Sequence, residues 1–467
     1  MFPSQRRPGV AGLLATAAIG VYLLVVAGAT ASVADAARAC SSWPLCHGPL
    51  LETTTLVAVG HRVLAAVVGV LVLAATVAVF RAETSRRVRA TTGLALGLYP
   101  VQIAVGAFLA LSAGGAPFPG THLFVGVGIF STLVLALAWH LESETGTTDD
   151  DTIANPELAP EPTDGDDTPV TPLAERSVGA RLKARGFAYF RLMKPRLMWL
   201  LCLVAGAGMA LAPQAALTVE TIVLTLGGGV LAIGASGTFN HVLEREKDKR
   251  MSRTNDRPVA THQIPKHNAV AFGVALTALS LAVFWQVNPL TTALGFVAIL
   301  FYTVIYTLVL KPNTVQNTVL GGAAGALPAL IGWAAVTGDV GVPAVALAVL
   351  IFAWTPAHFY NLALAYKDDY AAGGFPMMPV VRGETTTRKH ILWWLGATLV
   401  STGALIGLTD LGWLVAVTTT AVGAVFLWAV VRLHREQTEQ AAFRAFHASN
   451  AYLGLLLVTI VIDALVL

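Results

Sequence analysis

Residues 221–248 read TIVLTLGGGVLAIGASGTFNHVLEREKD, an apolar run that passes without a break into Asn240, Glu244 and Asp248. The apolar part, 221–243, is long enough to cross a hydrocarbon core, which needs about 20 residues for roughly 30 Å. Runs of similar length recur along the chain at 11–33, 57–80, 92–112, 121–140 and 197–212, then at 268–287, 291–310, 316–336, 342–364, 390–409, 411–431 and 448–466. Only 12% of the 467 residues are charged and 55% are hydrophobic, with a mean hydropathy of +0.68; a soluble domain carries about 25% charged residues. In lipid, backbone groups must be satisfied internally, and helices do this segment by segment. The sequence therefore predicts an all-α polytopic membrane protein of about thirteen transmembrane helices, four before a long polar break and nine after it.

Threading the chain through these spans puts all but two of the thirty Lys and Arg residues on one side; the exceptions are Arg38 and Arg62. By the positive-inside rule that side is cytoplasmic. The expectation is a multi-pass protein of the cell (cytoplasmic) membrane, with the N-terminus inside and the C-terminus outside. Arg6, Arg7 and the first span superficially resemble a signal peptide, but the apolar core is too long for one, so the span is kept.

The polar break holds eleven Asp and Glu and five Pro between residues 142 and 175, with no Lys or Arg. Such a composition buries too little apolar surface to offset its ordering entropy, and a disordered tether is expected. The stretch 176–196 is basic with Tyr189, Phe190 and Met193 interspersed, which reads as an interfacial amphipathic segment. The predicted organisation is a four-helix module over 1–141, a linker with interfacial segment over 142–189, and a nine-helix domain over 190–467.

Asn240, Glu244 and Asp248 recur at i, i+4 and i+8, which puts three oxygen-bearing side chains on one helix face. Such a set suits Mg²⁺, a hard ion that shares its oxygen ligands with phosphates. Arg253 and Arg257 follow closely and can fork onto phosphate oxygens. Carboxylates alone would repel a diphosphate, whereas carboxylates with metal and arginines make a diphosphate site. A plain salt-bridged loop would use the same residues, but Asp368 and Asp369 form a second acidic patch at another helix end on the same side. Two such patches fit a clamp.

On the motifs Leu192-Met-Lys194-Pro195-Arg196, Asn240 through Pro258, Gln316 through Trp333, Trp354-Thr-Pro356-Ala-His358, and Asp369 through Gly383, the chain resembles the UbiA superfamily of intramembrane prenyltransferases. The match is with its haem O synthase (protohaem IX farnesyltransferase) branch and covers about 190–467. Where the superfamily motif has its first Asp, this chain has Glu244. The resemblance implies a nine-helix UbiA-type bundle that binds farnesyl diphosphate through Mg²⁺ on Asn240, Glu244, Asp248 and Asp369. Asp368 would belong to the same catalytic set, with Arg253, Arg257 and Lys311 assisting. The acceptor implied is haem b, and its product haem O serves haem-copper oxidase assembly. His358 is assigned either to haem contact or to packing, and Lys194 and Arg196 either to haem propionates or to the membrane surface.

In the first module, His61 and His122 open alternate spans at matching depth, where they could ligate one haem. Cys40 and Cys46 face an oxidising side and could pair. This module is similar to half of a haem A synthase over about 10–140, which implies haem b as a second cofactor; Ala58, where that family has an acidic residue, speaks against oxygenase activity. A haem A synthase or terminal oxidase assembly factors would be further partners besides membrane lipid, and no nucleic-acid partner is expected. Three other readings were weighed: a UbiA-type enzyme acting on a quinone precursor or lipid alcohol, a bifunctional haem O/haem A synthase, and a transporter or haem chaperone. Transporters place charges at the membrane midplane, whereas the carboxylates here lie at helix ends.

Overall fold

The computed structural model describes residues 9–33, 40, 42–46, 52–112, 120–147, 151–160 and 177–466; Arg6, Arg7, Arg38 and positions 161–176 of the acidic stretch lie outside them. In chain order the helices are α1 (Val10–Val33), α2 (Thr53–Arg81), α3 (Arg86–Leu111), α4 (Gly120–Thr145), α5 (Val178–Leu192), α6 (Pro195–Ala210), α7 (Val219–Leu243), α8 (Arg245–Asp248) and α9 (Lys266–Val287). They continue as α10 (Pro289–Leu300), a π-helical segment Phe301–Leu310, α11 (Lys311–Asn313), α12 (Asn317–Thr337), α13 (Val342–Ala365), α14 (Lys367–Ala372), α15 (Met378–Val381), α16 (Glu384–Leu408), α17 (Trp413–Glu436) and α18 (Glu439–Val466). No named strand occurs among the described residues. Among the described residues twelve helices are long and apolar enough to cross a membrane, and α5 with α6, bent by 46°, makes a thirteenth if counted as one span. The all-α, polytopic expectation is met.

The helices form two compact units, Met1–Thr148 with Arg388–Leu467, and Asp149–Thr387. The division does not follow the polar break. The last helices, expected within the second bundle, cluster with the first four, and α1 packs on α2, α4 and α17. A buried polar staple accounts for the association inside this unit: the Tyr22 hydroxyl meets Thr419 Oγ1 at 3.0 Å, and Tyr452 reaches Thr419 at 3.1 Å and Thr402 at 2.8 Å. In lipid such hydroxyls have no water to fall back on, so each helix is held where the partner lies. A Cys40–Cys46 disulfide closes the loop after α1.

The second unit is held by close backbone approach. A Cβ on Gly332 would lie 2.0 Å from the Ala205 carbonyl oxygen, and one on Gly208 would lie 2.4 Å from that of Ala329. These two notches let α6 and α12 touch along their backbones, the small-residue packing that substitutes for hydrophobic drive inside a membrane. The expected interfacial segment is α5, whose Leu182, Phe187 and Phe190 are exposed beside its basic residues.

Part of the acidic stretch departs from the tether expected of it. Residues 142–145 complete α4. Residues 151–160 lie along the loop after α14: Ile153 N donates to Val380 O at 2.8 Å, Ala159 N donates to Ala372 O at 2.9 Å, and Leu158 bridges Gly373. Composition does not reveal this order, because the stabilising contacts are backbone hydrogen bonds to residues more than 200 positions away.

Gly332→Ala should lower the stability of the detergent-solubilised protein by about 1–3 kcal/mol through overpacking. Gly206→Ala, on the facing helix α6 but with nothing within 4 Å of the added Cβ, should be neutral or stabilising. Equal thermal unfolding shifts for the two variants would refute the notch.

Candidate active site

The site forms where α7 ends. Glu244 breaks the helix with φ −94° and ψ 6°, and the single turn α8 carries Asp248 back under it. Asn240, Glu244 and Asp248 are all buried, so each needs partners. Arg257 Nη1 donates to both oxygens of Asp248, at 2.7 and 2.8 Å, and lies 3.9 Å from Glu244 Oε2. Lys311 Nζ donates to Glu244 Oε1 at 2.6 Å. Lys194 Nζ donates to Asn240 Oδ1 and sits 3.4 Å from the Tyr302 hydroxyl. Two carboxylates thus face three cations across a small volume.

Local geometry explains how the cations arrive. Lys194 links α5 to α6 with φ 54°, a left-handed conformation that costs a non-glycine residue about 1–3 kcal/mol and clusters at functional sites. A Cβ on Gly237 would fall 2.9 Å from the Leu192 carbonyl oxygen, so glycine lets this turn lie against α7. Lys311 follows the π-helical segment, whose Thr307 Oγ1 donates to Tyr302 O at 2.9 Å. That segment also presents Thr307 to Asn240 Nδ2 at 3.3 Å. Such widened turns recur at functional sites.

The second acidic patch is tied to the first. Asp369 accepts from Ser252 N at 2.9 Å, Ser252 Oγ at 2.8 Å and Arg253 N at 3.0 Å. The Arg253 guanidinium lies over the rings of Tyr366 and Tyr370, 5.0 and 5.5 Å from their centroids. Phe375 lies under Lys247 at 4.1 Å and under Lys311 at 4.2 Å. Of the residues singled out from sequence, Asn240, Glu244, Asp248, Arg257, Lys194 and Lys311 come together directly. Asp369 and Arg253 join through the turn at 252–253. Asp368 and Arg196 are exposed, and no bond links either to the cluster. His358 stacks on Trp354, with ring centroids 4.2 Å apart. Sequence reasoning passed over Tyr302, Thr307, Ser252 and Phe375; the i, i+4 pair Tyr302 and Tyr306 inside an apolar span was the available signal.

Burial by itself would push the Glu244 carboxyl up, but Lys311, Lys194 and Arg257 outweigh it and hold it below the ordinary range. At Asp248 burial prevails over Arg257, with help from the Glu244 charge, and its pKa is raised. Burial also works against the Arg257 guanidinium, yet Asp248 and Glu244 leave its pKa above the usual value.

Beside this cluster a partly open apolar cavity runs into the bundle, with Lys194, Ser236 and Tyr302 at its polar end. Its walls come from α6, α7, α9, α10 and α12 and include Leu201, Ile233, Ile299 and Ile331.

Lys311→Met would take from the buried Glu244 the cation hydrogen-bonded to it, leaving Arg257 at 3.9 Å, at a cost of up to about 3–5 kcal/mol. Adding Glu244→Gln should restore much of that stability, and thermal unfolding of the two single variants and the double variant reads the coupling. Additive losses would show that the pair is not the stabilising unit.

In comparison with known proteins, residues 199–455 match the UbiA prenyltransferase family. The chain is 67% identical over 459 residues to the protoheme IX farnesyltransferase of Haloarcula marismortui, covering 98% of each. It is 62% identical over 461 residues to protoheme IX farnesyltransferase 1 of Natronomonas pharaonis, covering 99% of this chain and 100% of that one. A solved structure described as giving insight into digeranylgeranylglyceryl phosphate synthase in membranes superposes with a TM-score of 0.51 at 14% identity, over 61% of this chain and 100% of its own; that likeness concerns the fold alone. With the family matched over more than half its length, and with these relatives aligned from end to end, the chain belongs to the UbiA prenyltransferase family.

Proposed function

We propose that the protein transfers a farnesyl group from farnesyl diphosphate to a vinyl group of protohaem IX (haem b), giving haem O. The names of its relatives support the acceptor and the prenyl group. The observation that carries the chemistry is one cation, Arg257, facing both Asp248 and Glu244, with Lys194, bonded to Asn240, joining this cluster to an apolar cavity that it lines.

That shared nitrogen also tests the fit of a divalent metal. Two carboxylates close enough to face one guanidinium nitrogen can share Mg²⁺, with Asn240 as a third oxygen donor and Asp369 as a fourth from the adjoining turn. When bound, Mg²⁺ supplies charge neutralisation on the diphosphate oxygens. The protein's own groups do the rest. Lys311 and Arg257 are held against the carboxylates and Lys194 against the Asn240 amide oxygen, so all three can turn to phosphate oxygens when substrate enters. Arg253 would join them, steadied by Tyr366 and Tyr370. The allylic C–O bond breaks heterolytically and the electron pair leaves with pyrophosphate, whose charge these cations stabilise. The vinyl π electrons of haem close the new C–C bond, and water adds to the resulting cation with loss of a proton. The apolar walls keep water from the allylic centre until then. Arg196 and His358 stand outside the diphosphate cluster and would meet the acceptor if they act. The asymmetry of Lys and Arg supports a cell-membrane protein with this site on the cytoplasmic face.

A second reading concerns the first unit. The His61 and His122 ring centroids lie 6.4 Å apart, and Nδ1 of each is buried without a hydrogen-bond partner. Unpaired imidazole nitrogens in a membrane interior call for a ligand, and haem b fits the donor set. Gln102 Nε2 lies 3.2 Å from His122 Nε2 and would orient that ring.

Purified protein incubated with Mg²⁺, haem b and farnesyl diphosphate should yield haem O by mass spectrometry. Asp248→Ala should reduce turnover by at least about 100-fold, the order expected when a transition-state charge partner is lost. Product from a quinone precursor and none from haem would overturn the acceptor assignment. For the first unit, His61→Ala and His122→Ala should each abolish a Soret absorbance in the purified protein; an unchanged spectrum would remove both residues as ligands.

A further inference from the structure

One aromatic ring stands in the wall of the apolar cavity on the side away from Lys194. Phe284 on α9 is fully buried and lines the cavity. Two glycines receive its edges: a Cβ on Gly228 of α7 would lie 2.7 Å from Phe284 Cδ1, and one on Gly295 of α10 would lie 2.5 Å from Cδ2. The ring can occupy this place only because both positions lack a side chain, and Ala232, Ile299 and Ile331 pack around it. A ring wedged on both edges is a rigid wall, since neither rotation nor translation is free.

Distance along α7 gives the wall a meaning. The polar end of the cavity lies level with Gly237, whose Cβ would touch Lys194 Cγ at 3.2 Å. At 1.5 Å per residue, about 14 Å of helix separates Gly237 from Gly228, and about 18 Å separates it from Thr225, the most N-terminal cavity residue of α7. With bonds of about 1.5 Å at tetrahedral angles, an extended carbon chain advances roughly 1.25 Å per bond, so a farnesyl chain spans roughly 15 Å and a geranylgeranyl chain roughly 20 Å. A three-unit chain starting at Lys194 brings its last isoprene to the Phe284 ring. A four-unit chain overruns the cavity.

We infer that Phe284, seated in the Gly228 and Gly295 notches, is the length-setting wall of the prenyl cavity and limits the donor to three isoprene units. This rests on the cavity's being the tail site of the proposed reaction. Phe284 touches the end of the chain and not the reacting atoms, so it sets specificity and leaves the diphosphate chemistry to the cluster around Asp248.

Cys202 provides a readout independent of the acceptor, because it lines the same cavity and is the free cysteine. In the full-length protein, farnesyl diphosphate with Mg²⁺ should protect Cys202 from a membrane-permeant maleimide at concentrations at least about 10-fold below those needed with geranylgeranyl diphosphate, in line with the discrimination an apolar pocket achieves. Phe284→Ala, and Phe284→Leu should the alanine variant fold poorly, should erase that preference, and geranylgeranyl transfer to haem b should rise against farnesyl transfer by a similar factor. Equal protection by both donors in the wild-type protein, or a preference unchanged in a folded variant, would overturn the wall. Chain-length-dependent protection without any turnover on haem would sustain the wall and overturn the acceptor reading instead. No protection by either donor would overturn the cavity as tail site, and the wall with it.

Discussion

Everything at the polar end of the second unit depends on keeping two carboxylates ionised after they have left water. A buried carboxylate loses its solvation and survives only against a fixed cation. Glu244 has Lys311, and Asp248 has Arg257, which also faces Glu244. Each cation comes from a different part of the chain, so the need for pairing dictates local backbone shape: the break of α7 at Glu244, the left-handed turn at Lys194 and the π-helical segment that ends at Lys311. Buried pairs of this kind add little net stability, but they hold charge in place. That suits a site whose proposed ligand carries charge of both signs.

The remaining parts of the second unit follow from having such a cluster at the end of an apolar bundle. Glycines at 208, 237 and 332 let backbones approach closely enough to fix α6, α7 and α12 against one another. The turn at 252–253, captured by Asp369, joins the two acidic loops. Residues 151–160 then lie along the loop beyond Asp369 through backbone hydrogen bonds. The first unit uses a different device, a chain of hydroxyls from Tyr22 through Thr419 and Tyr452 to Thr402, to associate α1 with helices more than 370 residues away in sequence.

The legibility of these features from sequence follows from their range. Span number, helical class and the i, i+4, i+8 motif are local patterns, and the structure bears out the helical class and the span count. Arg257 is identifiable beside the motif because phosphate chemistry demands a cation there, and Lys311 follows from the family resemblance; Lys194, expected at haem propionates or the membrane surface, does not. The individual partners of these cations are not identifiable, since pairing Lys311 with Glu244 requires knowing that the π-helical segment passes α7. Asp368 shows the same limit from the other side. It neighbours Asp369 in sequence yet stays exposed, because only one of two adjacent residues in the helical turn of α14 can meet the turn at 252–253.

By itself the sequence determined that this chain lies in a membrane as a bundle of helices, and that carboxylates and arginines gather where α7 ends. Those are consequences of composition and short-range periodicity, which lipid enforces residue by residue. Tertiary structure alone decided that α17 and α18 cluster with the first four helices, that part of an acidic linker is ordered, and which cation stands against Glu244, Asp248 and Asn240. The reason is physical: a buried charge or hydroxyl is satisfied by whatever lies within 3 Å or so of it, and a one-dimensional pattern does not contain that distance. The triad at the end of α7 was visible as three residues on a face. Only in three dimensions did it become two carboxylates and an amide, each held by a cation from elsewhere in the chain.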